Sequence, residues 1–447
     1  MAFALFLLYV VFTFLRPVEL FAPGLAEARP MLVLWLLAFG AALMATLVQR
    51  RIALRAPHAA LLLVFILALM LSRVANGWAG GAMAAVSEFS ASALLLLLAA
   101  MNLTSLRRLQ WTLATVTLCM LVLSVFAVNA FETGHRAEDF VLRQGTGDDA
   151  DLLDAGYAGV PADDTSGQSL WRVHGLGILN DPNDFGQALV MCLPLLALAW
   201  RPRRWARNAL VVGLPMALML YAIYLTHSRG ALLGVALLGL LGLRGWLGNT
   251  RTALVGLAGL VMAMGLGLAG GGRDFSTQEQ SAGQRIEAWY DGLQMFRENP
   301  LFGVGYGAFT DYHELTAHNS FVLCFAELGL FGLLPWVALL VLAFRELGQV
   351  TRLAEPGSTQ ARMAEALRMA LLGFLACAWF LSRTYQPLLY LLLGLCIAAA
   401  WAARQAALAG PEPQYWPAPR WQFASVLTAI GSIVAVYAFI VLERFTG

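Results

Sequence analysis

The chain has 447 residues, of which 60% are apolar and 13% charged, with a mean hydropathy of +0.70. That balance excludes a soluble enzyme and places the chain among multispan membrane proteins. A net charge of +2 lacks the basic excess that binding nucleic acid requires.

All of the basic side chains counted as Lys+Arg are arginine, a bias that codon usage explains more simply than function. The cysteines (Cys119, Cys192, Cys324, Cys377 and Cys396) all fall in apolar stretches, with neither a disulfide framework nor zinc-ligand spacing. A run of about 20 apolar residues crosses a bilayer, and on that basis about thirteen stretches qualify as spans. In chain order they are 1–15, 31–48, 59–71, 83–101, 109–130, 185–200, 209–225, 230–246, 253–269, 320–344, 369–381, 388–403 and 423–442. The first lacks a basic leader and a small-residue cleavage site, so it reads as a retained span rather than a signal peptide.

Arginine placement orients them. With the N-terminus in the cytoplasm, Arg50, Arg51, Arg55, Arg107, Arg108, Arg201, Arg203, Arg204, Arg207, Arg244, Arg251, Arg345, Arg352, Arg362, Arg368, Arg404 and Arg420 all fall inside. The outer loops are poorer in arginine for their length and richer in acid, and the C-terminus lies outside. The predicted architecture is an all-α integral membrane protein of roughly 12–13 transmembrane helices, a single multispan domain over 1–447. Two larger outer segments interrupt it, about 131–184 and about 270–319, the second containing short helices.

The first outer segment carries an acidic, Gly-rich run with Asp148, Asp149, Asp154, Asp163 and Asp164, which predicts a mobile solvated loop. Paired aspartates of this kind bind a divalent ion only rarely, and no metal site is expected. Further on come Arg172, His174 and the turn Asn180-Asp181-Pro182-Asn183-Asp184, with Asp184 the favoured cap of the helix that follows. Arg172 is a weaker candidate for anion binding, because its loop reads as mobile.

Thr226-His227-Ser228-Arg229-Gly230 separates two spans by only a few residues. A continuous helix would put Arg229 deep in lipid at about 2.5–3.5 kcal/mol, so a tight hairpin or broken helix at the outer surface is the better expectation. An arginine held there, with its planar fork turned inward, suits bidentate phosphate recognition. A snorkelling interfacial arginine is the plainer alternative.

In the second outer segment, Ser281 and Gln284 have capping-box spacing, and Ile286, Tyr290 and Leu293 recur on one helical face before Asn299-Pro300. Arg285 would then sit in the first turn, where free amides and the helix dipole favour an anion. Pairing with Glu287 or Asp291 explains Arg285 equally well. Gly303, Gly305 and Gly307 predict a tight turn. His318 and Asn319 follow at the mouth of a span, where a polar pair is a candidate functional group.

His318-Asn319, nine residues, Gly329, two residues and Gly332 together resemble the signature of the bacterial O-antigen ligase and polymerase superfamily. Ser228-Arg229-Gly230, Arg285 with Trp289 and Asn299-Pro300-Leu301-Phe302-Gly303-Val304-Gly305, and the Asn180–Asn183 turn resemble it too, over about 172–332. The resemblance implies a glycosyltransferase of the bacterial inner membrane with a periplasmic site. Its donor would be an undecaprenyl-diphosphate-linked glycan, and its acceptor a lipid A core, a protein or another glycan. Arg229 and Arg285 would hold the diphosphate with help from Arg172, and His318 would be the general base. Ser228, Asn319 and Asp181 would support them, with no cofactor, no metal and inversion at the sugar carbon.

Membrane lipid is the other expected partner. A polymerase of O-antigen or exopolysaccharide is the alternative within the superfamily. The chain lacks the Trp-Trp-Asp-Tyr-Gly motif of metal-dependent oligosaccharyltransferases. A flippase of lipid-linked glycans would call for mid-span charges and internal repeats; charges within the spans are few (Glu88 and Glu327 near span ends) and no repeat is evident. The last span, 423–442, goes beyond the usual twelve of the family and has no assigned role.

Overall fold

A computed structural model describes residues 1–145, 159–164, 169–265, 275–410 and 413–446. It is helical almost throughout. In chain order the main helices are α1 (Ala2–Leu15), α2 (Pro30–Gln49), α3 (Ala56–Ala75), α4 (Gly81–Asn102) and α5 (Leu106–Thr133). A short antiparallel hairpin follows, β1 (Val141–Gly145) paired with β2 (Ser169–Val173), in a register that sets Val141 opposite Val173. Then come α6 (Pro182–Leu196), α7 (Leu214–Leu225), α8 (Arg229–Gly265) and α9 (Phe275–Glu298). The chain ends with α10 (Ser320–Leu353), α11 (Thr359–Ala378), α12 (Pro387–Leu408) and α13 (Gln422–Thr446).

Among the described residues, nine helices are long and apolar enough to cross a membrane: α2 to α7, α10, α12 and α13, with flanking turns extending α6 and α7. The other predicted spans also fall on helices. α1 is a shorter apolar helix, α8 breaks at Gly248 (φ 77°) into two limbs, and α11 begins ten residues before its predicted start. Ser358 causes that early start, because its hydroxyl accepts from the Ala361 amide and caps the first turn on the polar side.

The helices are not equivalent. The apolar windows of α10 and α12 are 78% and 83% buried, whereas that of α2 is 11% buried, with Leu32, Val33, Leu36 and Leu37 facing outward. α10 is therefore the hub. It packs against α3, α9, α11, α12 and α13, so the last helix is part of the bundle rather than an appendage.

Contacts between loops join segments that the alternation of spans puts on one side. Arg55 and Arg404, both predicted inside, meet at Glu346. Asn76 donates to the Gly303 carbonyl at 2.9 Å, and Arg136 to that of Leu20 at 2.7 Å; all four positions were predicted outside.

Three expectations for the outer segments need correction. The 131–184 segment is not wholly a loose loop, since β1 and β2 zip its two ends together; Asp148, Asp149 and Asp154 lie outside the described residues. Asp164 accepts from the Trp171 indole at 2.7 Å, which gives that carboxylate a structural use. The Ser281/Gln284 pair is not a capping box, because α9 already begins at Phe275 and both positions lie inside it. Arg285 is therefore well past the first turn, and free helix-terminal amides do not surround it.

Candidate functional site

The N-terminal half of α10 is broken, and the break is occupied. Gly329 takes φ 60°, ψ −159°, which interrupts the i→i−4 ladder and leaves backbone groups without helical partners. The glycine turn after α9 supplies them. The Val304 and Gly305 amides donate to the Ala326 and Glu327 carbonyls at 2.9 and 3.1 Å, and the Leu330 and Phe331 amides donate to those of Pro300 and Leu301 at 2.8 and 3.1 Å.

Such close approach of two backbones leaves no room for a Cβ. One added at Gly303 would run into the backbone of Glu327, and one at Gly329 into that of Leu301 and Phe302. Two sequence motifs, Asn299–Gly305 and the glycines after His318-Asn319, are thus the two halves of one interlock. Glu327 is buried at this joint, accepting from the Tyr385 hydroxyl at 2.8 Å and the Phe309 amide at 3.3 Å.

The interlock presents His318 and Asn319. Asn319 is fully buried and caps α10, its Oδ1 accepting from the Phe321 and Val322 amides at 2.8 and 3.1 Å. That double role fixes the amide orientation, and Nδ2 is left buried with no partner. His318 stands just before the cap in a left-handed conformation (φ 48°), which costs on the order of 1–2 kcal/mol for a non-glycine residue. Trp289 of α9 holds this strained turn by donating from its indole to the Ala317 carbonyl at 2.9 Å.

Burial pushes the His318 imidazole down to about 4 from 6.5; the positive charges of Arg285, Arg383 and His313 push the same way, and Asp181 opposes them. The ring is therefore neutral at physiological pH, so its lone pair is available to accept a proton.

Arg383 was not singled out in the sequence. It lies in the short turn between α11 and α12, forms an ion pair with Asp184, and has Asp181 3.9 Å away. Its backbone amide donates to the Ser320 hydroxyl at 2.8 Å, and Thr384 donates to the Ser320 carbonyl at 2.6 Å, which ties this turn to the first residue of α10. Asp181, rather than the favoured Asp184, caps α6; its carboxylate accepts from the Asn183 amide at 2.7 Å, and Asp184 belongs to the first helical turn.

The other two arginines behave differently. Arg172 projects from β2 and is buried, with Nε donating to the Thr226 carbonyl at 2.9 Å and Nη2 to the Asn183 side chain at 3.0 Å. It clamps the 226–228 turn to the start of α6. In that turn His227 is left-handed (φ 48°) and Ser228 accepts from the Ala231 amide at 3.4 Å, beginning α8.

Arg229 starts that helix, so the chain does reverse here between two apolar helices. Its Nε and Nη2 are buried without a hydrogen-bond partner, and no ion pair reaches it among the described residues. Gly230 beside it packs on Cys377 and Phe380, at the end of α11 that leads into the Arg383 turn.

The arrangement thus groups Arg285, Arg383, Asp181 and His313 electrostatically around His318, with Arg229 on the adjoining α8–α11 contact. No group of three or more His, Cys, Asp or Glu suited to a metal occurs among the described residues. The signal for Arg383 was present, an arginine in the six-residue break 382–387 between two apolar runs, but its pairing with the Asp181–Asp184 turn is a long-range event.

Residues 214–337 match the family model described as O-antigen ligase, a stretch containing Arg229, Arg285, His318 and both halves of the interlock. Comparison with curated proteins gives no match.

Proposed function

Because the chain belongs to the O-antigen ligase and polymerase superfamily, we propose that it transfers a glycan from an undecaprenyl-diphosphate carrier to an acceptor hydroxyl at the periplasmic face of a bacterial inner membrane. What supports this reading is Arg229, whose buried Nε and Nη2 have no hydrogen-bond partner, at the α8–α11 contact that leads into the Arg383 turn, together with a His318 imidazole that burial and Arg285 hold below its usual range. Two N–H groups without acceptors in a site that excludes water suit an anion with two oxygens, and a diphosphate supplies them.

In the proposed reaction His318 takes the proton of the acceptor hydroxyl while its oxygen attacks the anomeric carbon from the face opposite the carrier, inverting that centre. The bond from the anomeric carbon to the diphosphate oxygen breaks, and the electron pair leaves with the lipid diphosphate. Arg229 and Arg285 stabilise the charge that grows there, with Arg172 positioning the Arg229 turn. The same charges set the base. Arg285 and Arg383 depress His318, and a bound diphosphate would offset them, so proton affinity rises when the donor arrives.

A crevice of about 660 Å³ between α6, α7, α8 and α11, apolar except for Arg362 and Glu365 at the end away from Arg229, would take part of the carrier's tail, with Gly239 and Gly242 leaving the α8 side open. A lipid A core is the acceptor we favour.

The test is glycan transfer by purified protein in lipid nanodiscs with labelled donor and lipid A core. His318→Ala should lower transfer by about 10²–10⁴-fold. Undiminished transfer by this variant would remove the base.

A further inference from the structure

Next to the His318 turn is a polar cavity of about 700 Å³ that the transfer reaction does not yet use. One wall is the α9 face of Glu287, Tyr290 and Asp291, and the facing wall is Tyr312, His313 and Glu314. Ile440, near the end of α13, closes a third side, which gives the extra last helix a place in the site. His313 Nδ1 lies 2.8 Å from Asp291 Oδ2, so the carboxylate orients the ring.

The cavity is joined to His318 by more than proximity in sequence. His313 is close enough for its charge to bear on the His318 ring, and Trp289, on the next turn of α9, holds the carbonyl of Ala317. The lining chemistry contrasts with that of the donor side. Guanidinium groups gather where the diphosphate is proposed, whereas here three carboxylates accompany two phenol rings. Aromatic faces stack on the C–H face of a sugar, while carboxylate and imidazole groups bond its hydroxyls. The same carboxylates repel an anionic substituent.

We propose that this cavity is the acceptor subsite: it holds a hydroxyl-rich sugar ring bearing neither phosphate nor carboxylate and delivers its hydroxyl to His318. The proposal rests on reading His318 as the transfer base. His313 and Asp291 are positioning residues that orient the acceptor, with Tyr290 and Tyr312 as its stacking faces.

The experiment measures both steady-state transfer and direct binding in nanodiscs, using labelled undecaprenyl-diphosphate trisaccharide as donor and dephosphorylated lipid A core oligosaccharide as acceptor. Tyr312→Ala and Asp291→Asn should each raise the acceptor KM by about tenfold or more while the donor KM stays within about twofold. An acceptor phosphorylated on the receiving sugar should be poorer by about tenfold, and Glu287→Gln with Glu314→Gln should narrow that gap. An unchanged acceptor KM in both single variants, or a rise in donor KM instead, would overturn the subsite. Calorimetric titration of the acceptor alone separates this from failure of the base. If Tyr312→Ala loses acceptor binding while His318→Ala transfers normally, the subsite stands and the base assignment falls. If Tyr312→Ala binds the acceptor as the wild type does, the subsite is wrong.

Discussion

Two arginines at helix ends, Arg73 and Arg229, sit in opposite circumstances. Arg73, at the end of α3, is buried and saturated: its Nε donates to the Tyr306 carbonyl at 2.9 Å, and its two terminal nitrogens meet the two Glu88 oxygens at 3.1 and 2.9 Å. Trp78 and Tyr306 flank the guanidinium at 4.7 and 4.9 Å. Arg229 has its Nε and Nη2 equally shut away and nothing bonded to them. A desolvated donor without an acceptor costs on the order of 1–3 kcal/mol, more when charged, and such a cost persists where a ligand removes it. The difference separates an arginine that holds the bundle together from one whose buried nitrogens hold nothing in the bundle, and no reading of residue type alone could draw that line.

The comparison breaks most severely at the interlock that positions the whole outer site. Gly303→Ala or Gly329→Ala forces a side chain into opposing backbone at positive φ, and should abolish both transfer and a cooperative melting transition. Retention of normal melting and activity in either variant would mean that the two motifs do not depend on one another.

Next in size, Arg229→Ala should lower transfer by about 10²–10³-fold with little loss of stability, because it breaks no internal bond. Arg229→Lys should fail to restore it, since an ammonium keeps the charge but not the fork. Arg73→Ala should do the reverse, costing about 2–4 kcal/mol in melting experiments through several lost bonds. Equal melting losses for the two alanine variants would erase the distinction.

The smallest effect is on pH dependence. With His318 held down to about 4, the acid limb of kcat/KM should fall near that pH rather than near 6.5. Arg285→Gln removes one of the depressing charges and should move the limb upward. Stability carries the same sign. The unfolded chain binds more protons than the folded one between about 4 and 6.5, so this group's contribution is present above that window and is lost as pH falls through it. A limb that stays in place in Arg285→Gln would show that Arg285 does not act on the ring.

The spans were legible because hydrocarbon imposes a length on apolar runs and a side on arginine, and both rules act locally. Each predicted stretch has a helix, and loop contacts such as Arg55–Glu346 join segments that the alternation puts on one side. The outer segments were less legible. Phe275 to Gln280 is polar apart from its first residue, so nothing announced that α9 begins there, and a chance Ser281/Gln284 spacing looked like its start. The strands of the β hairpin are separated by an acidic run that reads as loop.

At the candidate site, His318, Asn319 and Arg229 could be named because polar residues beside spans are conspicuous. Arg383 could not, because its significance lies in Asp184, which is 199 positions away. The requirement for Gly303 and Gly329 is likewise visible only once the broken helix and the turn that fills it are seen together.

The account depends above all on Arg229 receiving a diphosphate, and binding of undecaprenyl diphosphate without its glycan measures this with no assumption about the acceptor. Titrated into nanodiscs, the wild type should bind it, and Arg229→Ala should bind about tenfold or more weakly while its melting temperature moves by no more than about 2 °C. Equal affinity of the two proteins would contradict the account, because the guanidinium would then have no anion to receive.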